Sequence, residues 1–306
     1  MDQIPVTGSS GTQPGDVKER AVRAQANESS SGTAVSLQAG GEPNPNGDMP
    51  PPPYVYALGR IEPRFSRLAV EKEFAQATGR AETAGLTDRQ ALHRVLSQGQ
   101  NRYLARQLCW VLTIEGLETY ILRPRDPGDY AQLIEALRPT PSPLDVDVVI
   151  GLRGPIAPPE LCNGLMVPIV AFDQLYAFDR EAIVKAIPRP EKIPAKQFES
   201  AAGELFERIL QMADNAGATD EHRAFNYLAA RCKEIYHKAA EEFGRDFSLT
   251  GIEAIPSRLS LTRRVVDCIF AYTNRNTDFT EKFFVRCDVT EEFPFLVTKL
   301  SPYYDR

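Results

Sequence analysis

RRVVDCIFAYTNRNTDFTEKFFVRCDVT, residues 263–290, holds two runs of alternating apolar residues on either side of the turn-forming NRNTDF. Period-two alternation around a short polar turn predicts a β-hairpin, and the strands of a hairpin are antiparallel. Upstream, ARQLCWVLTIEGLETYILRP (105–124) is apolar and β-branched, split by Glu115-Gly116, and reads as a hairpin or as two consecutive strands. Strands that follow one another in this way argue against a doubly wound sheet, where strand and helix alternate regularly. The expected class is α+β, a mixed or antiparallel sheet with flanking helices.

Working outward, YVYALGRIEPRF (54–65) alternates as a strand should. LAVEKEFAQATGR (68–80) has near-helical apolar spacing, with Gly79 as its expected C-cap. LTDRQALHRVLSQ (86–98) starts a second helix at Thr87 or Asp88, and DPGDYAQLIEALRP (126–139) is a short capped helix. Residues 144–188 read as strands broken by Gly and Pro and closed by a helix. The proline-punctuated IPRPEKIPAKQF (187–198) reads as a linker, giving two interlocked lobes, 53–190 and 191–306. Residues 201–216 and 220–244 are helical, the second with Phe225, Leu228, Ala229, Cys232, Ile235 and Tyr236 on one core-facing stripe. At the end of the chain, Phe293, Phe295, Leu296, Leu300, Tyr303 and Tyr304 supply apolar area expected to dock the terminus. Residues 1–52, rich in Gly, Ser and Pro, cannot bury enough apolar surface to offset chain ordering and are expected to be disordered.

Composition narrows the function. A net charge of −6 gives no electrostatic footprint for nucleic acid or an anionic membrane. The longest apolar run, GLMVPIVAF (164–172), contains a proline and is too short to span a bilayer. The first residues lack the basic and apolar regions of a signal peptide, so a cytoplasmic protein is expected. The five cysteines show no C-x-x-C spacing, and in that compartment they are expected to stay reduced, without a disulfide framework.

Catalytic chemistry is sparse. His93, His222 and His237 all fall within predicted helices among charged neighbours, where solvent-facing positions are expected, and no G-x-S-x-G elbow is present. No catalytic residue is assigned. Cys109 lies in the apolar LCWVL and Cys232 on an apolar helix face, which leaves Cys162, in PPELCNGL, as the cysteine expected to be most exposed. Cys268 and Cys287 fall on the same face of the C-terminal hairpin. They read as small apolar side chains in a sheet, or as half a zinc site completed by a second subunit or His237. The paired acids Glu241-Glu242 and Glu291-Glu292 read as solvated surface. Arg153, Asn163, Asn274, Arg275 and Asn276 suit peptide or partner contacts, though turn formation explains them as well.

Taken together, several segments resemble one family. YVYALGRIEPRF, VEKEFAQATGRAETAGLTD, NRYLARQLCWVLTIEGLETYILRPRD, DVDVVIGLRGPIAPPELCNGLMVPIVAFDQLY, ATDEHRAFNYLAARC and the tail from Tyr272 are similar to the C-terminal region of cyanobactin maturation proteases, the PatG/PatA type. The resemblance runs in order from about Tyr54 to Arg306. In that family the region follows a subtilisin-like protease domain, which removes leaders from ribosomal precursor peptides or excises and macrocyclises the core. The region itself has no assigned function, so the resemblance carries over no catalytic residue. The protease domain is not found in this sequence. The resemblance implies a non-catalytic accessory domain that binds a partner protease or precursor peptide. The alternatives are a homodimerisation module that organises protease domains, and an enzyme with an unrecognised site around Cys162, Arg153 and Asn163.

Overall fold

In the computed structural model of the chain, β1 (Tyr54–Phe65) pairs with two strands in succession. Its first half runs antiparallel to β4 (Asp145–Ile156) and its second half antiparallel to β2 (Leu108–Ile114). The structure describes residues 53–80, 83–142, 144–179, 187, 193–258 and 262–304. The N-terminal arm, the helix expected to close 144–188 and most of the linker lie outside these residues.

Glu115 and Gly116, at φ 49° and 80°, make the left-handed two-residue turn that a tight hairpin needs, and lead from β2 into β3 (Leu117–Pro124). β3 is parallel to β5 (Pro168–Asp179), which is antiparallel to β4, so the strands close a barrel in the order β1-β2-β3-β5-β4. Four helices accompany it: α1 (Leu68–Arg80), α2 (Asp88–Ser97), α3 (Arg102–Ala105) and α4 (Tyr130–Ala136). Thr87 caps α2 through a reciprocal capping box with Gln90, whereas α1 runs past Gly79 to Arg80. Alternation along the strands sends Val55, Ala57, Ile61, Trp110, Leu112 and Phe172 into one core with Val95, Leu96 and Leu133 of the helices. Beyond Gly59, β1 no longer pairs with β4, and side chains take over. Asp147 Oδ2 accepts the Ile61 N–H at 2.6 Å, and Arg89 donates to the carbonyls of Ile61, Ala136 and Leu137 at 2.7, 3.0 and 3.2 Å.

The rest of the chain supplies α5 (Ala195–Leu210), α6 (Asp220–Arg231), α7 (Lys233–Gly244) and a second sheet. That sheet holds β6 (Phe247–Pro256), β7 (Val265–Asn274) and β8 (Thr280–Asp288), with the short β9 (Phe295–Leu296) and β10 (Ser301–Pro302) on the outer side of β8. The β7–β8 hairpin is the one read from the alternation, and the fold is α+β. The single helix expected over 220–244 is instead two, broken at Cys232, whose backbone is extended (φ −104°, ψ 95°). The break lets α6 lie on β1 while α7 lies on α5 and β6, which one straight cylinder could not do.

The two halves share a core. Tyr56, Leu58, Val146, Val148 and Ile150 on the outside of the barrel pack with Phe206, Phe225, Leu228 and Phe270. The segment between α5 and α6 is stitched to β1: Tyr56 N–H donates to Gly217 O and Asn226 Nδ2 donates to Tyr56 O, both at 2.9 Å. Among the described residues no helix is long and apolar enough to cross a membrane.

Two sequence expectations fail at the cysteines. Cys109 and Cys162 form a disulfide with Cα atoms 5.8 Å apart, and Cys162 is buried rather than exposed. The cause is the long β4–β5 loop, which folds back over the outer face of β2 and β3. There it builds a small third core from Cys109, Val111, Ile121, Ala157 and Cys162. The tail also departs from expectation. It is held by backbone pairing with β8, by Leu300 against the core and by Tyr303 packed edge-on against Phe284 with ring centres 5.6 Å apart. Phe293, Phe295, Leu296 and Tyr304 remain exposed.

Candidate functional site

The tail leaves β8 through residues 289–292, and a buried arginine fixes that loop. Arg223, on α6, donates to the carbonyl of Val289 at 2.7 Å and to those of Glu291 and Glu292, with its guanidinium 5.3 Å from the centre of the Tyr54 ring. Burial pulls the guanidinium down to about 10, so it is still charged at neutral pH. Three carbonyls converging on one buried cation lock the loop where the barrel and the second sheet meet.

Glu292 then turns inward against Asp173 of β5, while Arg125, just past β3, pairs with Asp173 and lies 3.5 Å from Glu292. Burial first, and then the hydrogen-bonded Asp173 carboxyl, push Glu292 up to about 7. Two carboxyls in contact cannot both ionise cheaply, so the pair holds a proton near neutrality. Glu292 Oε1 and Arg223 Nε are both buried without a hydrogen-bond partner. The solvated-surface reading of Glu292 is thereby corrected. Glu242 is corrected likewise, being fully buried between Lys238 and Arg245, each at 2.8 Å.

Beyond this junction the chain presents apolar side chains to solvent. Phe293, Phe295, Leu296, Val297 and Tyr304 are between 37% and 79% exposed. β9 and β10 are edge strands, with no strand beyond them among the described residues. Arg263 lies 5.1 Å over the Phe295 ring and pairs with Asp288. Five exposed apolar residues in twelve positions of an edge segment is a surface that proteins normally blunt.

The residues singled out in the sequence do not gather in one place. Asn274, Arg275 and Asn276 form the β7–β8 turn. Asn274 Oδ1 accepts from the backbone N–H of Asn276 and Thr277, and Arg275 donates to Ser248 Oγ at 2.7 Å and stacks 4.3 Å from Phe243. Arg153 is on β4, with its backbone N–H on Pro53 O, and Asn163 sits at φ 47° in the loop that covers β2 and β3. Cys268 and Cys287 share a face diagonally, opposite Val285 and Val266 respectively. Both are fully buried, and burial together with Cys287 pushes the Cys268 thiol well up. His237, expected to face solvent, is half-buried against Phe198. Among the described residues no group of three or more His, Cys, Asp or Glu is arranged to hold a metal ion. Sequence reasoning missed the Arg125–Asp173–Arg223–Glu292 junction because its members come from four separate segments. The one local signal was Arg223 and Asn226, two polar residues three apart in an otherwise apolar stretch of helix.

Residues 192–303, which hold α5 to α7, the second sheet and the loop that Arg223 fixes, match the family model described as PatG C-terminal. The chain carries a PatG C-terminal-type domain. A solved structure described as "PatG Domain of Unknown Function" superposes with a TM-score of 0.67 at 22% identity, covering 82% of this chain and 98% of that one. At that identity the likeness is one of fold, and it extends past the matched residues into the barrel. Among curated proteins none matches the chain. In this PatG C-terminal-type domain the loop junction and the exposed edge are continuous, since residue 292 belongs to the first and residue 293 to the second.

Proposed function

We propose that the chain is a non-catalytic accessory domain of ribosomal peptide natural-product maturation, and that its C-terminal edge binds an extended segment of the precursor peptide. The observation that carries this reading is the row of exposed apolar residues on and beside edge strand β9, with Tyr304 just past β10. An edge of this kind accepts an extended chain as a further strand, with apolar side chains supplying the affinity. The cysteines support a non-catalytic role: Cys232, Cys268 and Cys287 are buried, and Cys109 and Cys162 are tied to each other.

Fluorescence anisotropy of a labelled cognate precursor tests this reading, alongside a pull-down with the cognate subtilisin-like protease. The unaltered chain is expected to bind the precursor at tens of micromolar or tighter, and Phe295→Asp with Leu296→Asp to weaken binding about tenfold or more. Absence of precursor binding in that range overturns the proposal. Capture of the protease alone, abolished by the same substitutions, assigns the edge to the protease instead. A concentration-dependent doubling of mass in light scattering, lost in the same variant, assigns it to a second copy of the chain.

A further inference from the structure

Glu292 is the last residue of the loop that Arg223 fixes, and the exposed Phe293 follows it directly. Three separate devices converge on its carboxyl. Between Ile150 and Gly151 the β4–β5 register slips, which leaves Asp173 as the extra residue of a β-bulge, aimed out of the ladder. Gly151 permits the bulge, since a Cβ there would lie 2.3 Å from Ala171 O. Next to it, the Arg125 N–H donates to Phe172 O at 3.2 Å, which sets the Arg125 side chain beside Asp173. From the other side, Arg223 holds the carbonyls of Glu291 and Glu292.

The charged groups facing Glu292 are Asp173 from β5, Arg125 from the segment after β3 and Arg223 from α6. Glu291, on the same loop, is exposed, and Tyr54 of β1 lies against Arg223. Arg223 commits its donors to main-chain carbonyls, so among the described residues Arg125 alone pairs with both carboxyls. Glu292 Oε1 is buried without a hydrogen-bond partner. Ionised in place, Glu292 would have a charged oxygen that meets neither water nor a donor, beside a second carboxylate. Burial and Asp173 accordingly push it up to about 7. Asp173 stands within a strand with its arginine, whereas Glu292 stands on a loop. Glu292 is therefore the group that moves out to water when the shared proton leaves.

We infer that the Asp173–Glu292 pair is a proton-operated catch on the C-terminal edge. With one proton shared, Glu292 stays folded in and the segment from Phe293 leaves the junction at a fixed angle. With the proton lost, Glu292 swings out and the segment loosens. The consequence for peptide binding rests on the edge-binding reading above; the catch itself does not.

Amide chemical shifts of the isotopically labelled chain, followed from about pH 5.5 to about pH 8, test the catch without any ligand. A common transition with a midpoint near 7 is expected at Glu291, Phe293, Phe295 and Leu296. Glu292→Gln keeps the side-chain shape, removes the ionisation and is expected to abolish the transition. Asp173→Asn is expected to move it down by about one pH unit, and serves if the first variant does not fold. Asp147, which burial also raises to about 7, contacts Ile61, so Asp147→Asn is expected to leave the loop transition in place. Precursor affinity is expected to fall about fivefold or more from about pH 6 to about pH 8 in the unaltered chain, and this slope to flatten in Glu292→Gln. No common transition, one that survives Glu292→Gln or vanishes in Asp147→Asn, or equal pH slopes of affinity in parent and variant each overturns the catch. A chain that binds no precursor at either pH overturns the edge-binding reading instead, and the amide transition still decides the catch.

Discussion

Burial holds the Asp147 carboxyl up at about 7, against an ordinary value of 3.8, even though its Oδ2 accepts the Ile61 N–H and the Arg89 guanidinium is nearby. Desolvation outweighs both stabilising contacts. Between about pH 4 and pH 7 the unfolded chain gives up this proton and the folded chain keeps it. The folded state then binds more protons, so stability falls as pH rises through that window; below it the contribution is fully present. Glu292, also raised to about 7, acts in the same direction. Asp147→Asn keeps an acceptor for Ile61 and removes the ionisation. Urea midpoints across that range are expected to fall less steeply in the variant, with a difference of a few kcal/mol at neutral pH. A slope equal to that of the parent chain would sink this account of Asp147. None of this was legible in DVDVVIG, where Asp147 is one acid in an alternating strand; its environment is set by β1 and α2, which lie far away in sequence. Cys162 was misread for the same reason, since its partner Cys109 lies 53 residues away on β2.

Elements with a local signal were legible. The Glu115-Gly116 turn and the Thr87 cap are fixed by a few adjacent residues: the turn makes the hairpin that was one of two readings, and Thr87 is the cap where the sequence offered Thr87 or Asp88. The break at Cys232 was not legible, because the 3.6-residue stripe continues across it from Phe225 to Tyr236 with no Gly or Pro to mark it. Of the candidate sites, the edge segment was visible as a run of aromatics, but its exposure was not, because alternation cannot tell a docked edge from an open one. The α5–α6 connection offers a test at this scale. Gly217 sits at φ +67°, and a Cβ there would lie 2.3 Å from Tyr56 O. Gly217→Ala is therefore expected to cost about 2 kcal/mol or more, through both backbone strain and the displaced β1 contact. Thermal unfolding checks this, and a change within a few tenths would show that the connection shifts freely.

Across the whole molecule the outer face of β1 and β4 belongs to the same core as α5, α6 and the second sheet. Neither half buries its apolar surface alone, so the described residues are expected to unfold together. Trp110, the single tryptophan, reports on the barrel, while far-UV ellipticity draws on the helices of both halves. The two signals are expected to give one midpoint in urea, and separate midpoints would show that the halves melt independently. The barrel itself could not be read from sequence, because its closing pairs, such as Tyr54 with Leu152, join residues about a hundred positions apart. That topology bears on biosynthesis. Tyr56 finds its β4 partner at Ile150 and the acceptor for its N–H at Gly217. At ordinary elongation rates, β1 leaves the ribosome on the order of ten seconds before the second of these exists. During that interval a strand of Tyr, Val, Ala and Leu waits with at least one edge open, so the nascent chain is most vulnerable to aggregation at β1, and lasting relief comes only once α6 has been made.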